Sequence, residues 1–153
     1  MRSTEGGCGR GSQLSPLSWS DGWRGWGKRV RSNPATATVF LAKAEQFLAE
    51  GRSAFASQHY DAALLLAIHA GISANDAATS HIGGLRSTDA DHLMAADLLQ
   101  SLSGDTDKAK QLRGLIGLKN EVEYESARTS ASAATDGIAR AEHYVDWVSH
   151  LLR

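Results

Sequence analysis

The chain has 153 residues and a single cysteine, Cys8, which excludes an internal disulfide and a thiol-based zinc site within one chain. Its apolar (42%) and charged (22%) shares exclude a fibrous class and global disorder, and its length suits one domain with a real core. The formal net charge of −1 divides unevenly: residues 1–35 carry six Lys/Arg against two acids and the remainder ten against fifteen, so no general basic field over the body steers nucleic acid. Any cationic contact has to be a local patch, such as one made across a dimer.

Ala and Leu dominate the apolar residues and only two prolines occur, a helical composition. No apolar run approaches the roughly 20 residues that span a bilayer, and residues 1–28 lack the apolar middle of a secretion signal. A soluble cytoplasmic protein with no membrane contact is expected.

Residues 1–35 are rich in Gly, Ser and Arg, with Trp19, Trp23 and Trp26, and sustain no helix or strand period. A flexible extension is expected there, because ordering glycines is entropically costly. Gly22, Gly27 and Lys28 match the phosphate-loop pattern GxxxxGK, but Arg29 replaces the magnesium-holding hydroxyl, no strand is foreseen before it, and Asn33-Pro34 is expected to stop a helix from following. The Trp/Arg mixture also suits stacking on single-stranded bases or a membrane surface. The favoured reading is a tail without a fold, or upstream codons with the true start nearer Val30 or Val39.

From residue 36 to 153 the pattern is that of a helical domain. Phe40, Ala44, Phe47, Leu48 and Phe55 predict a first helix over 38–57, and a second over 60–81 has the stripe Leu64, Ala67, Ile68, Gly71, Asn75 and Ala78. Asn75 is the one amide on that stripe and must be hydrogen-bonded if buried; a bond to backbone or a facing side chain is the plainer account. His69, Ser73 and Asp76 share an adjacent face. Gly83-Gly84 ends the helix. Thr88 is read as the N-cap of a third helix over 88–102, with Asp89 and Asp91 in its first turn and Ala95, Leu98, Leu99 and Leu102 inward. A fourth runs from Thr106 to about residue 126, and a fifth spans 132–152 with Ile138, Ala141, Val145, Val148 and Leu152 inward. The expected fold is all-α, an antiparallel bundle of about five helices.

Asp89-x-x-His92 is the only acid-x-x-His pair on the body, so a di-iron bundle is not expected, and no strand-turn-helix context supports a Ser-His-Asp hydrolase. No metal or cofactor is called for. His81, His92, His143 and His150 read as surface or cap residues. The residue that stands out is Lys119, a cation among Leu112, Leu115, Ile116 and Val122 on the fourth helix. Asn120 and Tyr124 flank it, and Glu123 is one turn away. A lysine there either snorkels its charge to water or holds an anion.

The stretches AIHAGISANDAATSHIGG (67–84), TDADHLMAADLL (88–99) and LIGLKNEVEYES (115–126), in that order and spacing, give the body over 38–152 a likeness. It resembles a HEPN domain, the helical bundle of many prokaryotic toxin and defence nucleases, and most of all the short stand-alone actinobacterial branch. The resemblance implies a homodimer that binds RNA and cleaves it without metal, the ribose 2′-hydroxyl attacking the neighbouring phosphate, and an antitoxin or nucleotidyltransferase-like partner. The family's catalytic Arg, polar residue and His fall on Lys119, Asn120 and Tyr124, with Asn75 and Asp76 lining or bracing the cleft. Lys keeps the charge but loses the bidentate grip on phosphate. Tyr, with a reference pKa of about 10, is a poor base at neutral pH, so weak or absent cleavage is expected. The alternative is a catalytically inactive helical protein that regulates by dimerising or binding a partner.

Overall fold

The computed structural model describes residues 27–153. Cys8, the three tryptophans of the N-terminal block, and the stacking or membrane roles considered for them lie outside the described residues. The architecture is the expected all-α bundle. Five helices carry it: α1 (Ala37–Ala56), α2 (Tyr60–Gly83), α3 (Leu93–Ser103), α4 (Thr106–Gly117) and α6 (Ala131–Leu151). Between the last two lies a short α5 (Lys119–Glu123), and two three-residue strands, β1 (Arg29–Arg31) and β2 (Leu85–Ser87), pair antiparallel with Val30 opposite Arg86.

At the centre is α2. Its small residues Ala63, Ala67, Ala70, Ala74, Ala77 and Ala78 are fully buried and let α1, α3, α4 and α6 pack against it closely. A Cβ on Gly71 would meet Leu115 Cδ2 of α4, and one on Gly137 of α6 would meet Leu64 Cδ1, so both glycines mark tight helix crossings. The α1–α2 turn is only Ser57 to His59, which forces the two helices antiparallel. Gly84 and Gly104, both at positive φ, end α2 and α3 where expected, because a left-handed C-cap favours glycine. Asp105 and Ser130 cap α4 and α6 by accepting the Lys108 and Ala133 N–H groups. Arg113 of α4 pairs with Asp97 of α3, and Arg52 of α1 with Glu142 of α6 (2.7 Å).

Four expectations need correction. The extension expected over 1–35 ends earlier, since β1 and the turn after it belong to the folded body. Ser32 N–H donates to the Gly84 carbonyl (2.8 Å), and Ser80 Oγ donates to Ser32 Oγ (2.7 Å). Asn33-Pro34 does not block a helix: Asn33 caps the turn Pro34–Thr36, which runs straight into α1, and proline is favoured at that first position because its missing N–H is not needed there. Lys28 is nonetheless followed by a strand, where a phosphate loop requires a helix. Thr88 is not the cap of α3. Its N–H extends the strand pairing to the Lys28 carbonyl (2.9 Å), while Asp89 accepts the N–H groups of Lys28 (3.0 Å) and Asp91 (2.9 Å), which delays the helix to Leu93.

The fourth helix is also broken. Leu118 N–H bonds the Leu115 carbonyl and Glu121 N–H bonds the Leu118 carbonyl (both 3.2 Å), three-residue spacings that tighten the ladder and separate α4 from α5. Gly117, which favours extended or turn backbone over helix, precedes the break. Leu118 is half-buried against the core beside Gly137.

Candidate functional site

Lys119 opens α5, directly after the break at Leu118. The Lys119 side chain is 24% exposed and its Nζ lies 3.4 Å from Glu123 Oε1, a one-turn ion pair. It is therefore a half-buried cation at the edge of the core, paired among the described residues with one carboxylate. Two imidazoles from other elements lie within electrostatic reach of it. His69 of α2 is half-buried with its ring against Phe47 of α1 (centroids 5.8 Å), and His92 is half-buried at the head of α3.

The four groups sense one another. Burial lowers the His69 pKa, the charges of His92 and Lys119 lower it further, and Glu123 opposes them. Burial also lowers that of His92, aided by Lys119 and opposed by Asp91 and Glu123. Both imidazoles are thus biased toward the neutral, proton-accepting form at neutral pH, beside a fixed positive charge. That is a chemistry-bearing cluster, His69–His92–Lys119–Glu123. Residue spacing could not reveal it, since its members come from three elements that only the fold brings together.

The other residues singled out in the sequence fall in different places. Asn120 is exposed on α5. Tyr124 is the C-cap of α5, its N–H bonded to the Asn120 carbonyl (3.1 Å) and its side chain 79% exposed. Asn75 is 1% exposed, and both of its amide atoms are bonded: Nδ2 donates to the Ala95 carbonyl (3.0 Å) and Oδ1 accepts the Tyr144 hydroxyl (2.9 Å). It braces α2 to α3 and α6, leaving neither amide atom to a ligand.

Asp76 lies on the same face of α2 as His69, seven residues or about 10.5 Å further along the axis. Burial raises its pKa to about 7 against the pull of Arg86 and Lys43. Those two cations both approach the Phe40 ring, at 5.3 and 5.5 Å from its centroid. A polar strip thus follows one face of α2, with Lys119 at one end and Lys43 and Arg86 at the other. A separate groove of about 390 Å³ between α1 and α6, lined by Glu45, Arg52, Glu142 and Asp146 among others, shares no residue with this strip. Its carboxylates make it unsuited to a polyanion.

Among the described residues no group of three or more His, Cys, Asp or Glu side chains is placed to hold a metal ion, and no helix is long and apolar enough to cross a membrane. Comparison with family models, with curated proteins and with solved structures finds no match. The HEPN resemblance therefore rests on the sequence stretches that carry it.

Proposed function

We propose that the chain is a cytoplasmic, HEPN-like RNA-binding protein whose contact surface is the polar strip along α2, with Lys119 holding a phosphate. The observation that carries this reading is the placement of Lys119: a half-buried ammonium within electrostatic reach of two imidazoles, paired among the described residues with Glu123 alone. Lys43 and Arg86 extend the same face, giving a path of spaced cations on a body that is otherwise acidic. A local patch of this kind is what the charge distribution requires of any nucleic-acid contact. In a toxin–antitoxin or defence setting, RNA is the ligand and a second copy of the chain or an antitoxin-like protein the partner.

Binding of a fluorescent single-stranded RNA, followed by anisotropy across a salt series, tests the proposal. Lys119→Ala is expected to weaken binding and to flatten the salt dependence by about 0.7 in log–log slope, one phosphate contact on a single strand. An unchanged slope removes Lys119 from the interface.

A second reading, an interaction protein without chemistry, is favoured by Tyr124. A phenol 79% exposed at the end of α5, with Asn120 exposed beside it, is area that a partner chain covers. Sedimentation should then show a dimer for the native chain and a shift toward monomer for Tyr124→Ser. A native chain that sediments as a monomer and co-purifies with nothing counts against it.

A further inference from the structure

Between α4 and α6 the chain from 118 to 129 contains no buried residue, although α4 buries Leu112, Leu115 and Ile116 and α6 buries Ala134, Ile138 and Ala141. Its polar bonds are largely internal. Tyr124 N–H donates to the Asn120 carbonyl (3.1 Å), Glu121 N–H to that of Leu118 (3.2 Å), and Lys119 pairs with Glu123. Toward the core it offers the half-buried side chains of Leu118 and Val122. At its far end Thr129 N–H donates to Asp61 Oδ1, in the first turn of α2 (2.8 Å). A groove of about 170 Å³, lined by Glu121, Glu125, Arg128 and Ala133 among others, lies between the stretch and the start of α6.

A segment opens locally when the burial and bonds it gives up are small beside those of its neighbours. Here the loss is two half-buried side chains and one hydrogen bond to a carboxylate. The near end is free to swing. Gly117 is exposed, a Cβ added to it would meet nothing within 4 Å, and the three-residue bonds at Leu118 already interrupt the helix. We propose that residues 118–129 are a flap that opens as one unit about Gly117, letting go of Asp61, while the long helices stay folded. This rests on how the flap is packed and not on the RNA reading. Lys119 and Glu123 travel with the flap as a pair, and α2 stays behind. Because α5 lies on α2 in the closed form, a ligand that touches both Lys119 and α2 is held only when the flap is shut. The Asp61 clasp therefore sets what fraction of the protein is competent to bind there.

Hydrogen exchange of the full chain, resolved by residue, tests the flap. The bonded amides of Glu121, Tyr124 and Thr129 are expected to share one opening constant, roughly 10²-fold or more above that of the α2 amides over 67–78. Asp61→Ala should raise all three together by about tenfold or more, as a hydrogen bond to a charged acceptor is lost. Gly117→Ala should lower them by about fivefold, because alanine favours the helical backbone that opening gives up. Asn75→Ala supplies the converse: its bonds to Ala95 and Tyr144 survive in the open form, so it should speed exchange in α2 and leave the flap unchanged. Flap amides as protected as those of α2, or accelerated with them by Asn75→Ala, overturn the proposal, because the stretch then opens only when the whole chain unfolds. A response to Asp61→Ala confined to Thr129 overturns the single unit, and no response to Gly117→Ala overturns the hinge. Each of these failures leaves the RNA reading to its own anisotropy test.

Discussion

Asp76→Asn is expected to stabilise the protein at pH 8 by about 2–4 kcal/mol and to change little at pH 4. In the folded chain the Asp76 carboxyl is pushed up to about 7, first by burial on α2, with Arg86 and Lys43 opposing. In the unfolded chain it ionises near its ordinary value of 3.8. A folded-state pKa above the unfolded one means that the folded state holds its proton more tightly. The stability this provides is fully present below about pH 4 and is lost as pH rises through about 7, at about 1.4 kcal/mol per pH unit. Asparagine has nearly the same shape and no proton to lose, so the variant escapes that loss. Urea unfolding of both proteins between pH 4 and pH 8 measures the difference directly. His69 and His92 titrate in both proteins and cancel from the comparison. A stability difference that does not vary with pH would remove Asp76 from this account.

Asn75→Ala is the opposite case and should destabilise the fold by about 2–4 kcal/mol at any pH between these limits. The substitution deletes the partner of a buried Tyr144 hydroxyl, removes a donor to the Ala95 carbonyl, and leaves a void where three helices meet. An orphaned buried hydroxyl alone costs about 1–3 kcal/mol. Tyr144→Phe makes a useful companion, because it deletes the hydroxyl and keeps the ring that packs on Trp147 at 5.4 Å. In a double-mutant cycle the two changes should be strongly non-additive, since each removes the same hydrogen bond. If Asn75→Ala unfolds at the native urea concentration yet no longer binds RNA, the residue belongs to the cleft and not to the core.

Adjacent in sequence, Asn75 and Asp76 show what the sequence could and could not convey. The stripe of α2 was legible because burial obeys the helical period, and Leu64, Ala67, Ile68, Gly71 and Ala78 all lie inside. The same period singled out Asn75 as an amide that must be bonded, though not that Tyr144 and the Ala95 carbonyl would satisfy it. The ends of α2 and α3 were legible because Gly84 and Gly104 adopt conformations that glycine alone adopts readily. The strand pair was not, because three residues sustain no alternation and the partners lie more than fifty positions apart. That pairing also hid the true start of α3, since the pattern at Thr88 looks like a cap until β2 claims the backbone.

At the candidate site, the one-turn spacing within 112–126 made the Lys119–Glu123 ion pair legible. The helix is not continuous there, and the spacing does not tell so, because the three-residue hydrogen bonds at Leu118 leave the apolar pattern intact. The sequence set His69 on a face with Ser73 and Asp76 and His92 three residues after Asp89, but neither spacing tells that the fold brings both within electrostatic reach of Lys119.

The small sheet gives the α2–α3 connection a second attachment. Residues 85–88 are stitched to 28–31 by backbone bonds, Asp89 holds the Lys28 N–H, and Ser80 and Ser32 join their hydroxyls below. His92 sits three residues beyond that last stitch. A chain trimmed to 36–153 would retain every long helix and look folded by circular dichroism, yet would hang His92 on an untethered strap. In such a protein, helix content and imidazole geometry come apart, and the loss shows first as faster amide exchange across 85–92.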